Sequence, residues 1–263
     1  MPEGQGPFGY RLMQNQAVQA SNVEWLREQP DDQYDCTITS PPYGLNIDYD
    51  TYQDTQENLW PTIDQCLTEV TRVTRPGGRI CVNVMPNTQH HLATHVRITD
   101  RLQQLGWCWI TEIIWDKGMV PRWFPRGSWG SNRSPWYQHS HEYIIVMGLG
   151  SHQREYASAV PRTMSNDEYK QWTRPLWRIA PQHENNALHP AQFPRELVRR
   201  LILLNTQPGE LILDPFGGIG NTLVESVREK RRCHSIDISA EYTRQAQRRL
   251  TQIELDQRLF DTD

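Results

Sequence analysis

A short turn of serine, proline and tyrosine has the composition of a site that holds a planar ring with an amino group. The run Thr39-Ser40-Pro41-Pro42-Tyr43-Gly44 directly follows an apolar segment predicted as a strand. Two consecutive prolines fix φ and remove two N–H donors, so the turn is rigid and its carbonyl groups point outward. Ser40 and the Pro41 carbonyl could accept from an exocyclic amine while Tyr43 stacks on the ring. The simpler alternative is a Pro-Pro turn beside a core tyrosine.

A second group of residues has the order expected of a nucleoside-type cofactor site. An apolar strand ends at Asp214 and runs into a glycine turn that opens a helix. Glycines allow the backbone to approach a ligand closely, and a helix N-terminus favours a negative group. Asp237 ends the next strand, where an acid is well placed to bind ribose hydroxyls. The candidate cofactor residues are Asp214, Pro215, Phe216, Gly217, Gly218, Gly220, Asn221, Thr222 and Asp237.

Apolar runs rich in β-branched residues alternate with amphipathic patterns along the chain. This alternation predicts an α/β fold with a mostly parallel, doubly wound sheet and helices on both faces. Strands are predicted at 10–14, 34–39, 79–85, 108–115, 143–148, 210–213 and 233–238. Helices are predicted at 58–73, 88–105, 194–204, 219–230 and 239–258. These elements must bring the two groups of residues to one edge of the sheet.

Composition excludes several classes of protein. The chain has 263 residues, a mean hydropathy of -0.72, ten Trp and ten Tyr, so a disordered chain is disfavoured. No apolar run approaches the roughly 20 residues of a membrane span, and no signal peptide is visible at the start. Five cysteines without a CxxC pair fit a reducing cytoplasm and disfavour a thiolate zinc site. His139 and His141 lack further grouped ligands, so no metal site is expected.

Charge is unevenly placed along the chain. The formal net charge of -4 excludes a protein that binds nucleic acid through bulk charge alone, but not one with a local basic face. Residues 117–178 hold nine basic side chains against four acidic ones, together with five of the ten Trp. By itself such a window is usually a solvated surface. Long irregular stretches in a regular α/β chain, here 117–141 and 149–190, are usually functional.

Together, the two motifs resemble those of the S-adenosylmethionine-dependent DNA amino-methyltransferases of the β-group, in which the catalytic motif precedes the cofactor motif. Ser40-Pro41-Pro42-Tyr43 matches the family pattern [S/N/D]-P-P-[Y/F/W], and residues 214–220 match D-P-F-x-G-x-G. Further landmarks follow in family order at 75–78, 106–117, 141–145, 177–179 and 189–194, so the resemblance covers about residues 10–250. Two positions depart from it: Gln14 and its neighbours replace an acidic contact to adenine, and Asn221 replaces Ser or Thr.

The resemblance implies a fold, a cofactor and a substrate. It implies a Rossmann-like sheet of seven strands with circularly permuted motif order, S-adenosylmethionine as cofactor, and double-stranded DNA whose target base is flipped out. His189 is expected at the edge of the cofactor. Serine at position 40 favours methylation of cytosine N4 in this family, with adenine N6 as the alternative. A methyltransferase for RNA or a protein glutamine amide is less favoured, because the chain has a basic insert.

The resemblance also divides the chain into three parts. Residues 1–116 are the catalytic half, 117–190 the target-recognition region with one sheet strand near 142–148, and 191–263 the cofactor-binding half. Arg122, Arg126 and Arg133 are the predicted DNA contacts. The family context implies a cytoplasmic, nucleoid-associated protein of bacterial, archaeal or phage type. It allows a cognate restriction endonuclease and a homodimer as partners, which the residues themselves do not indicate.

Overall fold

A computed structural model describes residues 15–43, 48–49, 52–53, 56–87, 91–118, 127–137, 139–156, 160–181 and 193–260. The strands are β1 Gln16–Gln19, β2 Tyr34–Thr39, β3 Asp48–Tyr49, β4 Tyr52–Gln53, β5 Thr74–Val84, β6 Trp107–Asp116, β7 His141–Leu149, β8 Leu176–Arg178, β9 Leu211–Asp214 and β10 Arg232–Asp237. The helices are α1 Asn22–Arg27, α2 Gln56–Val73, α3 Thr94–Gln104, α4 Asn166–Trp172, α5 Arg195–Asn205, α6 Asn221–Arg228 and α7 Ala240–Phe260.

A single large sheet organises the described part of the chain. Its strand order is β1-β10-β9-β2-β5-β7-β6-β8, and β3 and β4 form a separate two-stranded ribbon. Strand β7 is antiparallel to both of its neighbours, and every other pairing in the large sheet is parallel. The predicted α/β fold with a mostly parallel sheet is therefore confirmed.

The predicted number of seven strands is wrong, because the sheet has eight strands within the described residues. Strand β8 pairs in parallel with β6, with Trp115 opposite Trp177. Trp177 is fully buried and its Nε1 donates to the Trp172 carbonyl, which fixes the short strand against the core. Three residues are too few to show a period of two, so the sequence pattern missed this strand. Residues 117–190 thus supply two strands of the sheet, β7 and β8, and not one.

One predicted strand lies outside the described residues, and one predicted helix differs in position. The strand predicted at 10–14 lies outside the described residues, and the strand at that edge of the sheet is β1. The helix predicted at 88–105 begins later, at Thr94, so α3 is a shorter element. Helix α1 and helix α4 were not predicted, since six or seven residues show too little periodicity.

Helices cover both faces of the sheet. Side chains of α1, α2 and α3 pack in one apolar cluster, and those of α5, α6 and α7 pack in the other. The buried strand β2 contributes to both clusters, with Cys36 and Ile38 in one and Tyr34 in the other. Its register against β5 shifts between Tyr34 and Cys36, which interrupts the regular alternation of the strand. Within the described residues, no helix is both long enough and apolar enough to span a membrane.

The strand directions define the edge at which a site forms. Because β2, β5, β9 and β10 are parallel, their carboxyl ends meet at one edge, and the first residues of the antiparallel β7 lie there too. Five polar side chains stand at or next to these ends: Ser40, Asn83, Asp214, Asp237 and Glu142. Ligands of open α/β sheets bind at this edge.

Candidate active site

The serine-proline turn leaves β2 at the carboxyl edge, and its hydroxyl groups face each other. Ser40 Oγ lies 2.8 Å from the Tyr43 hydroxyl and donates to the Asn83 carbonyl at 3.1 Å. The Asn87 amide donates to the Tyr43 carbonyl at 2.8 Å, which fixes the end of the turn. Hydrogen bonds at both ends therefore hold the turn against the carboxyl end of β5 and the residues that follow it.

Tyr43 is buried, which matches the simpler alternative of a core tyrosine in its position. The residue is 9% exposed and belongs to the apolar cluster beneath α2 and α3. Burial, with the carboxylate of Glu142 next to it, raises the pKa of the Tyr43 phenol well above its ordinary value. The ring faces are therefore covered here, and stacking on a base stays a prediction.

Two polar residues that the sequence reasoning did not assign to the site contact the Tyr43 hydroxyl, and a third pairs with one of them. Tyr43 donates to Glu142 Oε2 at 3.1 Å, and Asn83 Nδ2 donates to the Tyr43 hydroxyl at 3.0 Å. Asn83 Nδ2 also donates to Glu142 Oε2, and Lys117 Nζ pairs with Glu142 Oε1. Lys117 and Glu142 belong to landmarks of the resemblance without a role attached. A charged residue among the strand residues of β7 was the signal for Glu142.

The glycine turn after β9 is shaped by close contacts that exclude a side chain. A Cβ on Gly217 would lie 1.8 Å from Ser235 Oγ. The Gly217 N–H donates to the Ile236 carbonyl at 2.8 Å. Gly220 has a φ of +81° and precedes α6, where a Cβ would lie 2.8 Å from the Ala246 Cβ. The turn thus lies against β10 and α7, as the predicted cofactor motif requires.

Asp214 connects the two predicted motifs. Its Oδ1 accepts from Thr39 Oγ1 at 2.8 Å and from the Phe216 N–H at 3.2 Å. Thr39 is the last residue of β2 and directly precedes Ser40. Burial raises the pKa of the Asp214 carboxyl to about 6, an effect that these hydrogen bonds oppose. The serine-proline turn and the glycine turn are therefore held together through this carboxylate.

Asp237 stands at the carboxyl end of β10, one strand further along the edge. Its Oδ2 accepts from the Gly218 N–H and its Oδ1 from the Ser239 N–H, both at 2.8 Å. Burial raises the pKa of this carboxyl above its ordinary value. Each oxygen keeps capacity for a further donor, such as a ribose hydroxyl. The next residue, Ile238, is 42% exposed and gives the site an apolar surface.

The remaining candidate cofactor residues have mainly supporting contacts. Asn221 Nδ2 donates to the Phe193 carbonyl at 3.2 Å, and its Oδ1 accepts from Arg249 at 2.7 Å. The Pro215 carbonyl accepts from Asn22 at 3.0 Å, Phe216 is half-buried, and Thr222 is buried. The polar atoms of Asn221 thus hold α6 to its neighbours. Its contact with a cofactor stays a prediction.

Of the predicted DNA contacts, Arg133 lies in the described segment 127–137, which we call the aromatic segment. Arg133 is exposed, and its neighbours Trp129 and Tyr137 are 68% and 78% exposed. Gly127 and Pro135 form an isolated bridge that closes the segment. Arg122, Arg126 and His189 lie outside the described residues.

A family comparison agrees with this geometry. The model of the DNA methylase family of N6 and N4 methyltransferases matches residues 34–248. This range holds both motifs and most of the chain, so the chain belongs to the DNA methylase family. The resemblance to amino-methyltransferases drawn from the sequence is therefore confirmed.

Individual relatives are more distant. Type II methyltransferase M.BglII of Bacillus subtilis is 25% identical over an alignment of 250 residues, and the match covers 87% of this chain and 66% of M.BglII. Type II methyltransferase M.MjaI of Methanocaldococcus jannaschii is 28% identical over an alignment of 199 residues, and the match covers 68% of this chain and 62% of M.MjaI. The chain thus spans slightly less than two thirds of the lengths of these two relatives.

A solved structure shares the fold. The crystal structure of TTHA0409 from Thermus thermophilus, complexed with S-adenosyl-L-methionine, superposes with a TM-score of 0.69 and 24% identity. The match covers 89% of this chain and 94% of that chain. At this identity the likeness establishes the α/β architecture.

Proposed function

We propose that the protein is a site-specific DNA methyltransferase that transfers a methyl group from S-adenosylmethionine to the exocyclic N4 of cytosine in duplex DNA. The observation that carries the proposal is the hydrogen bond between Thr39 and Asp214, two residues 175 positions apart. It brings the residues suited to an amine and those suited to a nucleoside to one sheet edge. Membership of the DNA methylase family supports DNA as the substrate.

The residues around the glycine turn fit S-adenosylmethionine. When bound, this cofactor supplies a methyl group carried on a positively charged sulfur. The Gly217 cradle, into which no Cβ fits, allows the backbone to lie close to a ligand, and the N-terminus of α6 favours its carboxylate. Asp237 has acceptor capacity for the ribose hydroxyls, and Ile238 offers an apolar surface to the adenine. The shared fold of TTHA0409, which was crystallised with this molecule, supports the assignment.

The catalytic turn acts by positioning the target amine. The lone pair of an exocyclic amine is delocalised into the base, so the amine is a weak nucleophile. Ser40 Oγ and the Pro41 carbonyl accept its two N–H groups, which concentrates electron density on nitrogen and favours a tetrahedral geometry. The nitrogen forms a bond to the methyl carbon as the carbon–sulfur bond breaks, becomes cationic and then releases a proton. No strong base is required, and orientation supplies much of the rate.

Tyr43 meets the base only after a rearrangement. The target atom lies inside a duplex, so the nucleotide must be flipped out of the stack. Stacking needs an open ring face, and Tyr43 is 9% exposed. The ring must therefore become more exposed when a base enters than it is in this structure.

Serine at position 40 supports cytosine N4 as the target. In the family that the sequence resembles, this serine accompanies cytosine N4 and an aspartate accompanies adenine N6. Adenine N6 is the second candidate, because the same acceptors could hold its amine. The aromatic segment, which is exposed and carries Arg133, supports DNA over a protein glutamine amide.

Residues 117–190 form the target-recognition region in this proposal. The region contributes β7 and β8 to the sheet, and it holds Arg122, Arg126 and Arg133 for phosphate or guanine contacts. M.BglII and M.MjaI are both Type II methyltransferases, which favours a role in restriction–modification.

Nucleoside analysis of treated DNA tests the proposal. Unmethylated plasmid DNA of mixed sequence is incubated with the protein and S-adenosylmethionine, digested and examined by mass spectrometry. We expect N4-methylcytosine, and a strong reduction with Ser40→Ala, which lacks the acceptor. N6-methyladenine as the product would replace the proposed target by the second candidate. 5-Methylcytosine or no product would contradict the proposal.

A further inference from the structure

A buried carboxylate stands beside the proposed catalytic turn and has no part in the mechanism above. Glu142 is 5% exposed and faces Lys117, Asn83 and Tyr43. These residues come from different elements, namely the end of β6, the end of β5 and the turn after β2. A buried charge costs free energy unless it is paired and hydrogen-bonded, and here both carboxylate oxygens are engaged. The protein thus holds a buried carboxylate, paired with Lys117, against the Tyr43 hydroxyl.

The number of available protons determines which group donates in each of these hydrogen bonds. Tyr43 has one hydroxyl proton, and its oxygen lies 3.1 Å from Glu142 Oε2 and 2.8 Å from Ser40 Oγ. An ionised carboxylate only accepts, so the Tyr43 proton points to Glu142. The Tyr43 oxygen then accepts from Asn83 and shares the single Ser40 proton with the Asn83 carbonyl. The reverse arrangement would place two buried acceptors against each other with no proton between them.

The number of protons also determines which hydrogen bonds the Ser40 hydroxyl makes. Its single proton has two acceptors within reach, the Tyr43 oxygen at 2.8 Å and the Asn83 carbonyl at 3.1 Å. Both acceptors belong to the protein. Because the Tyr43 proton points to Glu142, the Ser40 oxygen receives no hydrogen bond from Tyr43. Among the residues that the structure describes, none donates to the Ser40 oxygen, so its lone pairs can accept from an incoming donor.

We propose that Glu142, paired with Lys117, is a positioning residue that orients the hydrogen-bond chain from Ser40 through Tyr43 to its own carboxylate, so that Ser40 meets the target amine as an acceptor. The inference rests on the proposed methyl transfer and adds a residue to it. Glu142 acts through Tyr43 and does not touch the base. The carboxylate also increases the electron density on the Ser40 oxygen, because each bond in a chain polarises the next.

Glutamine at position 142 disrupts this arrangement with little change in shape. One oxygen position faces Lys117 and the other faces Asn83, and both of these partners are donors. The amide nitrogen of a glutamine must oppose one donor or the other. If it takes the inner position it also donates to Tyr43, which then donates to Ser40 and occupies one of its lone pairs. The cationic Lys117 favours the amide oxygen over the amide nitrogen, which places the nitrogen in the inner position. Glu142→Gln therefore reverses the hydrogen bond between Tyr43 and Ser40.

Single-turnover methyl transfer tests the inference. The full-length protein and tritium-labelled S-adenosylmethionine are used in excess over unmethylated plasmid DNA of mixed sequence. We expect Glu142→Gln to lower the transfer rate by about tenfold or more, the scale of a lost hydrogen bond to a charged group. Cofactor affinity, measured by calorimetry, should stay within about twofold of the wild-type value. Glu225→Gln is the matched control, because Glu225 is also a buried acid in ion pairs, on α6, and its rate should be unchanged.

Tyr43→Phe distinguishes the proposed hydrogen-bond chain from a merely structural role of Glu142. It removes the hydroxyl and keeps the buried ring, whereas Tyr43→Ala would empty a core position at about 3–5 kcal/mol of stability, by comparison with other aromatic truncations. We expect Tyr43→Phe to lower the transfer rate, and Glu142→Gln added to it to lower the rate no further than about twofold, because the link is already cut.

The outcomes separate this inference from the proposed function. No methyl incorporation by the wild-type protein would overturn the proposed function and the inference with it. Wild-type transfer together with an undiminished rate for Glu142→Gln would overturn the inference alone. A transfer rate of the double variant that is reduced by the product of the two single reductions would also overturn the inference alone. If Glu142→Gln does not fold, a wild-type transfer rate for Tyr43→Phe still overturns the proposed hydrogen-bond chain.

Discussion

Asp214 is a single residue whose burial has a measurable consequence for stability. Its folded pKa of about 6 lies above the ordinary 3.8, so the folded protein binds this proton more tightly than the unfolded chain. Ionisation therefore costs stability, and the free energy of unfolding falls as pH rises from about 4 to about 6. Above that window the effect is constant. Its amplitude is about 3 kcal/mol, since one pKa unit corresponds to about 1.36 kcal/mol.

Asp214→Asn isolates this contribution, because asparagine does not titrate and its Oδ1 can accept from both Thr39 and Phe216 as Asp214 Oδ1 does. Denaturant unfolding of both proteins without cofactor, from pH 4 to pH 8, measures the difference. We expect the variant to gain stability relative to wild type as pH rises through the window. A difference that is independent of pH would show that the Asp214 carboxyl titrates alike in both states.

Asp237 is the residue on which nucleoside recognition depends in the proposed function. Asp237→Ala removes an acceptor for the ribose and should weaken S-adenosylmethionine binding by about 1–3 kcal/mol, the scale of lost hydrogen bonds to a charged group. Calorimetry measures the change. Glu241→Gln, on the first turn of α7, is the control and should leave the affinity unchanged. Unchanged affinity in Asp237→Ala would count against the ribose contact.

At the scale of elements, strand β2 connects the proposed catalytic turn to the proposed cofactor turn through one hydroxyl. Thr39→Val removes the Thr39–Asp214 hydrogen bond and leaves a buried carboxylate with one donor fewer. We expect a loss of about 1–3 kcal/mol in unfolding free energy and a weaker binding of S-adenosylmethionine.

Strand β2 also supplies a matched control two residues earlier. Thr37 is fully buried, and within the described part of the chain its hydroxyl has no hydrogen-bond partner. Thr37→Val removes a buried unpaired polar group, so it should be neutral or stabilising. Denaturant unfolding of the two variants gives the comparison. Equal losses would mean that strand packing, and not the bond to Asp214, explains the effect of Thr39→Val.

The elements also show which features a sequence pattern can reveal. Buried strands such as β2 and β7 were predicted nearly to their ends, because a run of β-branched residues between turns is a strong local signal. Strand β8 was missed, since its place depends on Trp177 entering a core built by distant elements. The network around Tyr43 was missed for the same reason. Lys117 and Glu142 are distant in sequence from Tyr43, and only the antiparallel entry of β7 brings Glu142 to it.

At the scale of the whole molecule, the sequence predicted the class of fold and the shared edge but not the arrangement within it. Alternating strands and helices indicate a parallel sheet, and parallel strands place the ends of β2, β9 and β10 together. The order of the strands follows from packing of both faces, which no local pattern records. Turn glycines such as Gly217 were recognised from sequence, yet the reason for them is the contact with Ser235.

The distribution of charge over the molecule leads to a prediction about DNA binding. The protein carries a net charge of -4, so under the proposed function attraction to DNA must come from a local basic surface, which we place in the region 117–190. Arg133 is exposed within the aromatic segment of that region. Arg133→Ala should weaken DNA binding and leave cofactor affinity unchanged. If Arg133 contacts a phosphate, the salt slope falls by about 1; if it reads a base, one position of the site loses about 1–3 kcal/mol of discrimination.

Fluorescence anisotropy with labelled duplex DNA, measured over a range of salt concentrations, distinguishes the two contacts. Arg248→Ala is the control, because Arg248 is exposed on α7, which packs against β1 and β10 at the opposite end of the sheet from β6 and β8. Its removal changes the net charge equally and should leave the salt slope unchanged. Equal effects of the two variants would mean that long-range charge alone governs binding. An unchanged affinity in Arg133→Ala would place the DNA-binding surface elsewhere.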